Sequence, residues 1–373
     1  MSTPASTLSP FTEQALPPWR RAVLKVGSSL LAADGGGLSP RFALGLAQFV
    51  SANLAAGREL VIVSSGAVAA GRAILPKAVD VGAPIAARQA LAALGQAQLI
   101  ALWQRFFERP VAQVLLTHDD LRNRRRYLNA RATLGELLRL GALPVINEND
   151  TVSVDELKLG DNDNLAAIVA ALVDADALFI ATDIDGLYSA DPRSNPLARP
   201  LDDVPELTLE VLAMAGGSGS SVGTGGMRTK LEAAAKAGAA GIETYLFNGR
   251  SGEVVRALAQ DRLRGTRIHA ARTRIAARKY WLRHAPVEAG AILIGPDRQG
   301  RLAVARRGGR RAGRFPSRRH GGDPPSRHRG RTVSGTRSES VLGPGYPSYR
   351  RPPLARDREC ARLQLRRKRG ASR

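Results

Sequence analysis

At 373 residues and 44% hydrophobic content, the chain is long enough for two domains and a sizeable core. No run of about 18 apolar residues exists to span a bilayer, and the single cysteine, Cys360, excludes an internal disulfide. The net charge of +22 points towards nucleic acid until it is located: residues 296–373 hold 23 of the 55 Lys+Arg and 5 of the 33 Asp+Glu, net +18, which leaves +4 for residues 1–295.

Residues 1–20, rich in Ser, Thr and Pro, read as a flexible leader without the charged and apolar regions of a secretory signal, so a cytoplasmic protein is expected. Ala22 to Val26 is a short apolar strand, interrupted by Lys25 and ending in Gly27-Ser28-Ser29. Those small residues would let a phosphate approach backbone N–H groups, although a strand-end lysine also fits a side chain that snorkels to water. Ser39 as N-cap and Pro40 at the first helical position predict a helix that Gly57 stops. Glu59 to Val63 is the next strand, and its turn, Ser64-Ser65-Gly66, is a weak second anion cradle.

The spacing predicts a helix over 84–108, a strand over 111–116, a helix over 127–140 and a strand over 143–146. Between that strand and a helix predicted over 164–173 lies an unusually polar connection. It holds Asn147, Glu148, Asn149, Asp150, Asp155, Glu156, Lys158, Asp161, Asn162, Asp163 and Asn164. Asp150 and Asp161-x-Asp163 could offer oxygen ligands to a metal, but the spacing is not that of a calcium loop. Ala177 to Ala181 is a strand, followed by Thr182-Asp183, a nucleotide contact or a helix cap. A Gly/Ser-rich run from Gly216 leads through Thr224, Gly225, Gly226, Met227, Arg228 and Thr229 to Lys230, into a helix over 228–237 and a strand over 242–247. It matches neither a P-loop nor a dinucleotide fingerprint, yet a helix N-terminus with a lysine in its first turn can hold phosphate.

Apolar strands alternating with amphipathic helices predict a mostly parallel sheet covered on both faces, with ligands at the carboxyl ends of the strands. Gly27, Ser65, Asn147, Thr182 and Asn248 all fall there. His118 has no partner pattern and reads as structural, and no Ser/His/Asp or Cys/His order supports covalent catalysis. Two lysines beside Gly-rich turns, a strand-end Asp and an acidic/amide loop suit phosphoryl transfer. A carboxylate acceptor, ionised at neutral pH, would need no general base.

The motifs V-L-K-V-G-S-S, V-I-V-S-S-G-A-V-A-A-G, Y-L-N-A-R-A-T-L, P-V-I-N-E-N-D, K-L-G-D-N-D-N-L, T-D-I-D-G-L-Y-S-A-D-P-R and G-T-G-G-M-R-T-K-L occur in this order between about Arg21 and Ile294. Together they resemble the glutamate 5-kinases of the amino acid kinase superfamily. The resemblance implies a three-layer α/β/α sandwich around a mostly parallel central sheet. It also implies ATP-dependent phosphorylation of the side-chain carboxylate of L-glutamate, the first step of proline synthesis. Lys25 and Lys230 would stabilise the transferring phosphoryl, Asp163 would orient them, and Lys158 would support catalysis. Glutamate would bind Ser65, Asn147, Asp150, Asp161 and Asn162. ATP would bind Lys25, Gly27, Thr182, Asp183 and the run Thr224, Gly225, Gly226, Met227, Arg228, Thr229 and Lys230. Mg²⁺ would arrive on ATP, with no metal held by the protein. Proline as feedback inhibitor, a homo-oligomer, and glutamate-5-semialdehyde dehydrogenase as a partner are implied as well; a membrane or nucleic-acid partner is not. The alternatives are a kinase of a related acidic amino acid, or an RNA-associated module using the basic tail.

The resemblance places the kinase domain at 21–272 and the start of a PUA-like domain at 273–295. From Pro296 no alternating run is long enough for a barrel strand, and Arg, Gly, Pro and Ser dominate, so a PUA domain is expected to be absent or disrupted and 296–373 disordered. That composition is also what an out-of-frame reading of a GC-rich gene yields. Shifting the DNA frame near residue 295 should then restore a strand-rich sequence. An Arg-rich extension would instead bind nucleic acid with steep salt dependence.

Overall fold

In the computed structural model, residues 10–33, 36–75, 84–153, 162–215, 226–271, 292–296 and 302–306 are described. The chain divides into two units, Met1–Gly309 and Arg310–Arg373, the second wholly outside those residues. In chain order the first unit runs β1 (Glu13–Ala15), β2 (Arg21–Val26), α1 (Pro40–Ala55), β3 (Glu59–Ser64), α2 (Ala67–Ile74), α3 (Ile85–Gln104), β4 (Val111–Leu116), α4 (His118–Arg122), α5 (Arg124–Arg139) and β5 (Leu143–Glu148). It continues with α6 (Asn162–Leu172), β6 (Ala177–Thr182), β7 (Asp203–Val204), α7 (Leu209–Met214), α8 (Met227–Ala239), β8 (Glu243–Asn248), α9 (Gly252–Leu258) and β9 (Arg262–Ile268).

These strands form one sheet in the order β1-β9-β8-β6-β2-β3-β5-β4, with β7 added on β9. The run from β8 to β4 is parallel throughout, and β9 and β1 extend it antiparallel at one edge. Strand side chains alternate between faces, and the two faces meet separate apolar cores. Ala22, Leu24 and Val26 of β2 pack with α1, α3 and α9; Val23 packs with α6 and α8. Lys25 shares the face of Val23, so the alternation aims it at α6 and α8. The result is the expected three-layer α/β/α sandwich. No helix among the described residues is long and apolar enough to cross a membrane.

Ser39 caps α1, its hydroxyl accepting from the Arg41 N–H, and Gly57 turns the chain at φ +79°. The leader is corrected from residue 10 onward. Phe11, Leu16 and Trp19 are buried, β1 pairs with β9, and the Arg58 guanidinium lies 4.5 Å over the Trp19 ring. The expectation of disorder throughout 296–373 is also corrected. Ile292–Pro296 (β10) pairs antiparallel with Leu302–Arg306 (β11).

Candidate functional site

Four chain segments converge at the carboxyl ends of the central strands. The end of β3 is tied to the end of β2 by Ser65 N–H donating to the Val26 carbonyl at 3.0 Å. Gly66 then adopts φ +119°, a left-handed conformation that favours glycine, and α2 starts. Its Cβ would also stand 3.3 Å from Leu38. The Trp103 indole N–H donates to Ser64 Oγ at 2.9 Å and braces this turn from α3.

Asp163, in the first turn of α6, joins two lysines that are distant in sequence. Lys25 Nζ lies 2.6 Å from its Oδ1 and Lys230 Nζ 3.2 Å from its Oδ2. Thr229 Oγ1 donates to the same Oδ2 at 2.8 Å. Lys25, Asp163 and Lys230 are 6%, 1% and 5% exposed, so neither lysine snorkels to water. Burial alone would raise the Asp163 pKa, but the two ammonium charges and their hydrogen bonds outweigh it and hold the group at about 2. The Lys230 ammonium sits below the ordinary lysine value. Burial is the main cause and Lys25 adds to it, against the pull of Asp163.

Asn162, the neighbour of Asp163, faces a different partner set. Its Nδ2 donates to Ser65 Oγ at 2.6 Å and to Asn147 Oδ1 at 2.9 Å. Asn147 in turn donates from Nδ2 to Gln96 Oε1 on α3 at 2.9 Å. Asp150, two residues past the end of β5, has its pKa pushed up to about 6, first by burial and then by the Glu148 charge, against Arg88. Glu148 is buried and accepts from Ser153 Oγ at 3.0 Å.

The remaining expected residues fall at the margin. Gly27 follows β2, and a Cβ there would stand 3.6 Å from Lys25 Nζ, so glycine leaves space over that ammonium. Thr182 is buried at the end of β6; Asp183 lies 3.8 Å from the Arg250 guanidinium. No helix follows Asp183, so the capping alternative is not realised. Gly226 precedes α8, whose N-terminus no side chain among the described residues caps. Met227 packs partly buried against the α6–α8 core. Arg228 pairs with Glu232 on its own helix at 3.1 Å, on an exposed face. Lys158, Asp161, Thr224 and Gly225 lie outside the described residues.

Gln96 and the clamping role of Thr229 escaped the sequence reading. For Gln96 a signal existed: it is a polar residue on the stripe Leu91, Ala92, Gly95, Leu99, Leu102 and Trp103 that α3 buries. Among the described residues no three His, Cys, Asp or Glu side chains group as a metal site.

The amino acid kinase family matches residues 20–248. Among curated proteins, a glutamate 5-kinase of Xanthomonas oryzae pv. oryzae is 95% identical over 286 residues, covering 77% of this chain and 78% of that one. A glutamate 5-kinase of Xanthomonas euvesicatoria pv. vesicatoria is 98% identical over 272 residues, 73% of this chain and 75% of that one. A glutamate 5-kinase of Xylella fastidiosa is 79% identical over 300 residues, 80% and 78% of the two chains.

Proposed function

The chain belongs to the amino acid kinase family, and from that premise we propose that it transfers the γ-phosphoryl group of ATP to the side-chain carboxylate of L-glutamate, giving L-glutamyl 5-phosphate for proline synthesis. The observation that carries this reading is the pair Asn162 and Asp163. Two consecutive residues join an amide cluster suited to an amino acid to a lysine pair suited to a phosphoryl group.

Glutamate's side-chain carboxylate is already ionised at neutral pH and attacks phosphorus without a general base. One bond forms between its oxygen and the γ-phosphorus while the bond to the ADP oxygen breaks. Lys25 and Lys230, distant in sequence but joined at one carboxylate, stabilise the negative charge on the transferring group, and Asp163 fixes both ammonium groups beforehand. The space left by Gly27 and the uncapped N-terminus of α8 suit phosphate oxygens. Mg²⁺ carried on ATP would neutralise part of the phosphate charge. Ser65, Asn147, Asn162 and Asp150 receive the amino-acid end of glutamate. Asp161 belongs with them in this reading, as Lys158 belongs with catalysis and Thr182, Asp183 and the segment from Thr224 to Lys230 belong with ATP. Proline, whose ammonium and carboxylate match the same groups, is the expected inhibitor at this site, in a homo-oligomer that hands its product to glutamate-5-semialdehyde dehydrogenase.

An assay that traps acyl phosphates as hydroxamates tests the reading. With ATP and Mg²⁺, glutamate should give product, while aspartate and N-acetylglutamate should not. Product with aspartate at an equal rate, or none with glutamate, overturns the assignment.

A further inference from the structure

We propose that Gln96 is a positioning residue that sets the polarity of the amino-acid site, a proposal that rests on reading that site as the place where glutamate binds. Gln96 is reached only because α2 and α3 lie almost in backbone contact. A Cβ on Gly71 would stand 2.0 Å from the Leu91 carbonyl oxygen, and one on Gly95 1.8 Å from that of Ala67. The residue after Gly95 is thereby brought next to the loop that follows β3 and across to β5.

The hydrogen bonds form a directional chain. Asn162 spends both Nδ2 hydrogens, one on Ser65 Oγ and one on Asn147 Oδ1; Asn147 then donates from Nδ2 to Gln96 Oε1. Reversing the Asn147 amide would set its oxygen against Gln96 Oε1 and its NH₂ against that of Asn162. With Oε1 turned to Asn147, Gln96 holds Asn147 with its Oδ1 towards Asn162, and Asn162 in turn with its Nδ2 towards Asn147 and Ser65.

Two groups are left available by this orientation. Asn162 Oδ1 is buried and accepts no hydrogen bond among the described residues. Ser65 Oγ, already an acceptor from Asn162, retains its own hydrogen to donate. A buried acceptor beside a donor matches an amino acid's ammonium and carboxylate; a reversed Asn162 would turn its NH₂ on the ammonium. Gln96 itself leaves Nε2 buried without a partner among the described residues, a cost that Met or Leu of similar volume would avoid. A glutamine present only for packing has no reason to carry it.

The test is steady-state kinetics on the full chain carrying Gln96→Met, Gln96→Asn or Gln96→Glu. Met removes the acceptor, Asn is one methylene too short to reach Asn147, and Glu retains an acceptor oxygen. We expect the first two to raise the glutamate KM about ten-fold or more, with the ATP KM unchanged and kcat within about three-fold, and Gln96→Glu to restore most of the affinity. A glutamate KM within about two-fold of wild type in Gln96→Asn overturns the proposal, as does a matching rise in the ATP KM or a failure of Glu to differ from Met. Should Gln96→Met not accumulate as folded protein, the Asn and Glu variants decide alone. Wild-type enzyme without glutamate-dependent hydroxamate defeats the glutamate reading itself; active wild type with unaffected variants defeats only the role of Gln96.

Discussion

Asp163 is one carboxylate serving two buried ammonium groups, and its substitution separates charge from shape. In Asp163→Asn the side chain keeps its size, but Lys25 and Lys230 remain buried without a counter-charge. Breaking such a pair costs about 3–5 kcal/mol, read as a lower urea midpoint at pH 7, and turnover should fall with it. The folded pKa lies below the ordinary carboxylate value, so the stabilisation is complete above about pH 4 and is lost as pH falls towards about 2. The stability difference between wild type and Asp163→Asn should therefore shrink over that interval. Asp150 is shifted the other way. If its carboxylate meets the glutamate ammonium, kcat/KM for glutamate falls as pH drops below about 6, and Asp150→Asn flattens that limb while raising the glutamate KM but not the ATP KM. At this scale the sequence singled out residues that the fold brings together, because Lys25, Asp163 and Lys230 each break a local pattern. It could not show that Asn162 and Asp163 face different partners, since those partners come from β2, β3, β5 and α8.

Among the elements, the crossing of α2 and α3 is the least forgiving. Gly95→Ala would place a methyl inside the Ala67 carbonyl, and the helices must separate to admit it. Thermal unfolding should register a loss of about 3 kcal/mol or more, and the glutamate KM should rise because Gln96 retreats from Asn147. The parallel core strands and the helices that cover them were legible from apolar periodicity. Missing from the sequence reading were, among others, α2, in which Gly71 weakens the helical signal, and β9, where Arg262, Arg264 and Arg267 interrupt the apolar pattern and Leu263 and Ile268 enter opposite cores. Both exist because of what they pack against: α2 against α3, and β9 between β8 and β1. Tertiary contact, absent from a single-segment pattern, decides such elements.

Across the whole molecule, the stretch before β2 acts as a clasp. Trp19 packs edge-on against Phe179 of β6 at 5.5 Å between ring centroids and lies beneath Arg58, which itself pairs with Asp261 at 2.6 Å. Trp19→Ala should cost about 3–5 kcal/mol in denaturant unfolding, with little change in either KM, because the clasp lies at the opposite ends of the strands from the lysines. The Ser/Thr/Pro-rich composition concealed this role: Phe11, Leu16 and Trp19 among polar neighbours show no period.

The sheet order has a consequence for how the chain is made. β2 lies between β3, which follows it closely, and β6, which begins at Ala177. A ribosome that has completed β5 has therefore released a half-sheet in which β2 still shows an open edge, with hydrogen-bonding groups unpaired until some thirty further residues emerge. Slowing translation across that interval would lengthen the exposure. The nascent chain, rather than the finished enzyme, is where this fold is most open to pairing with the wrong partner.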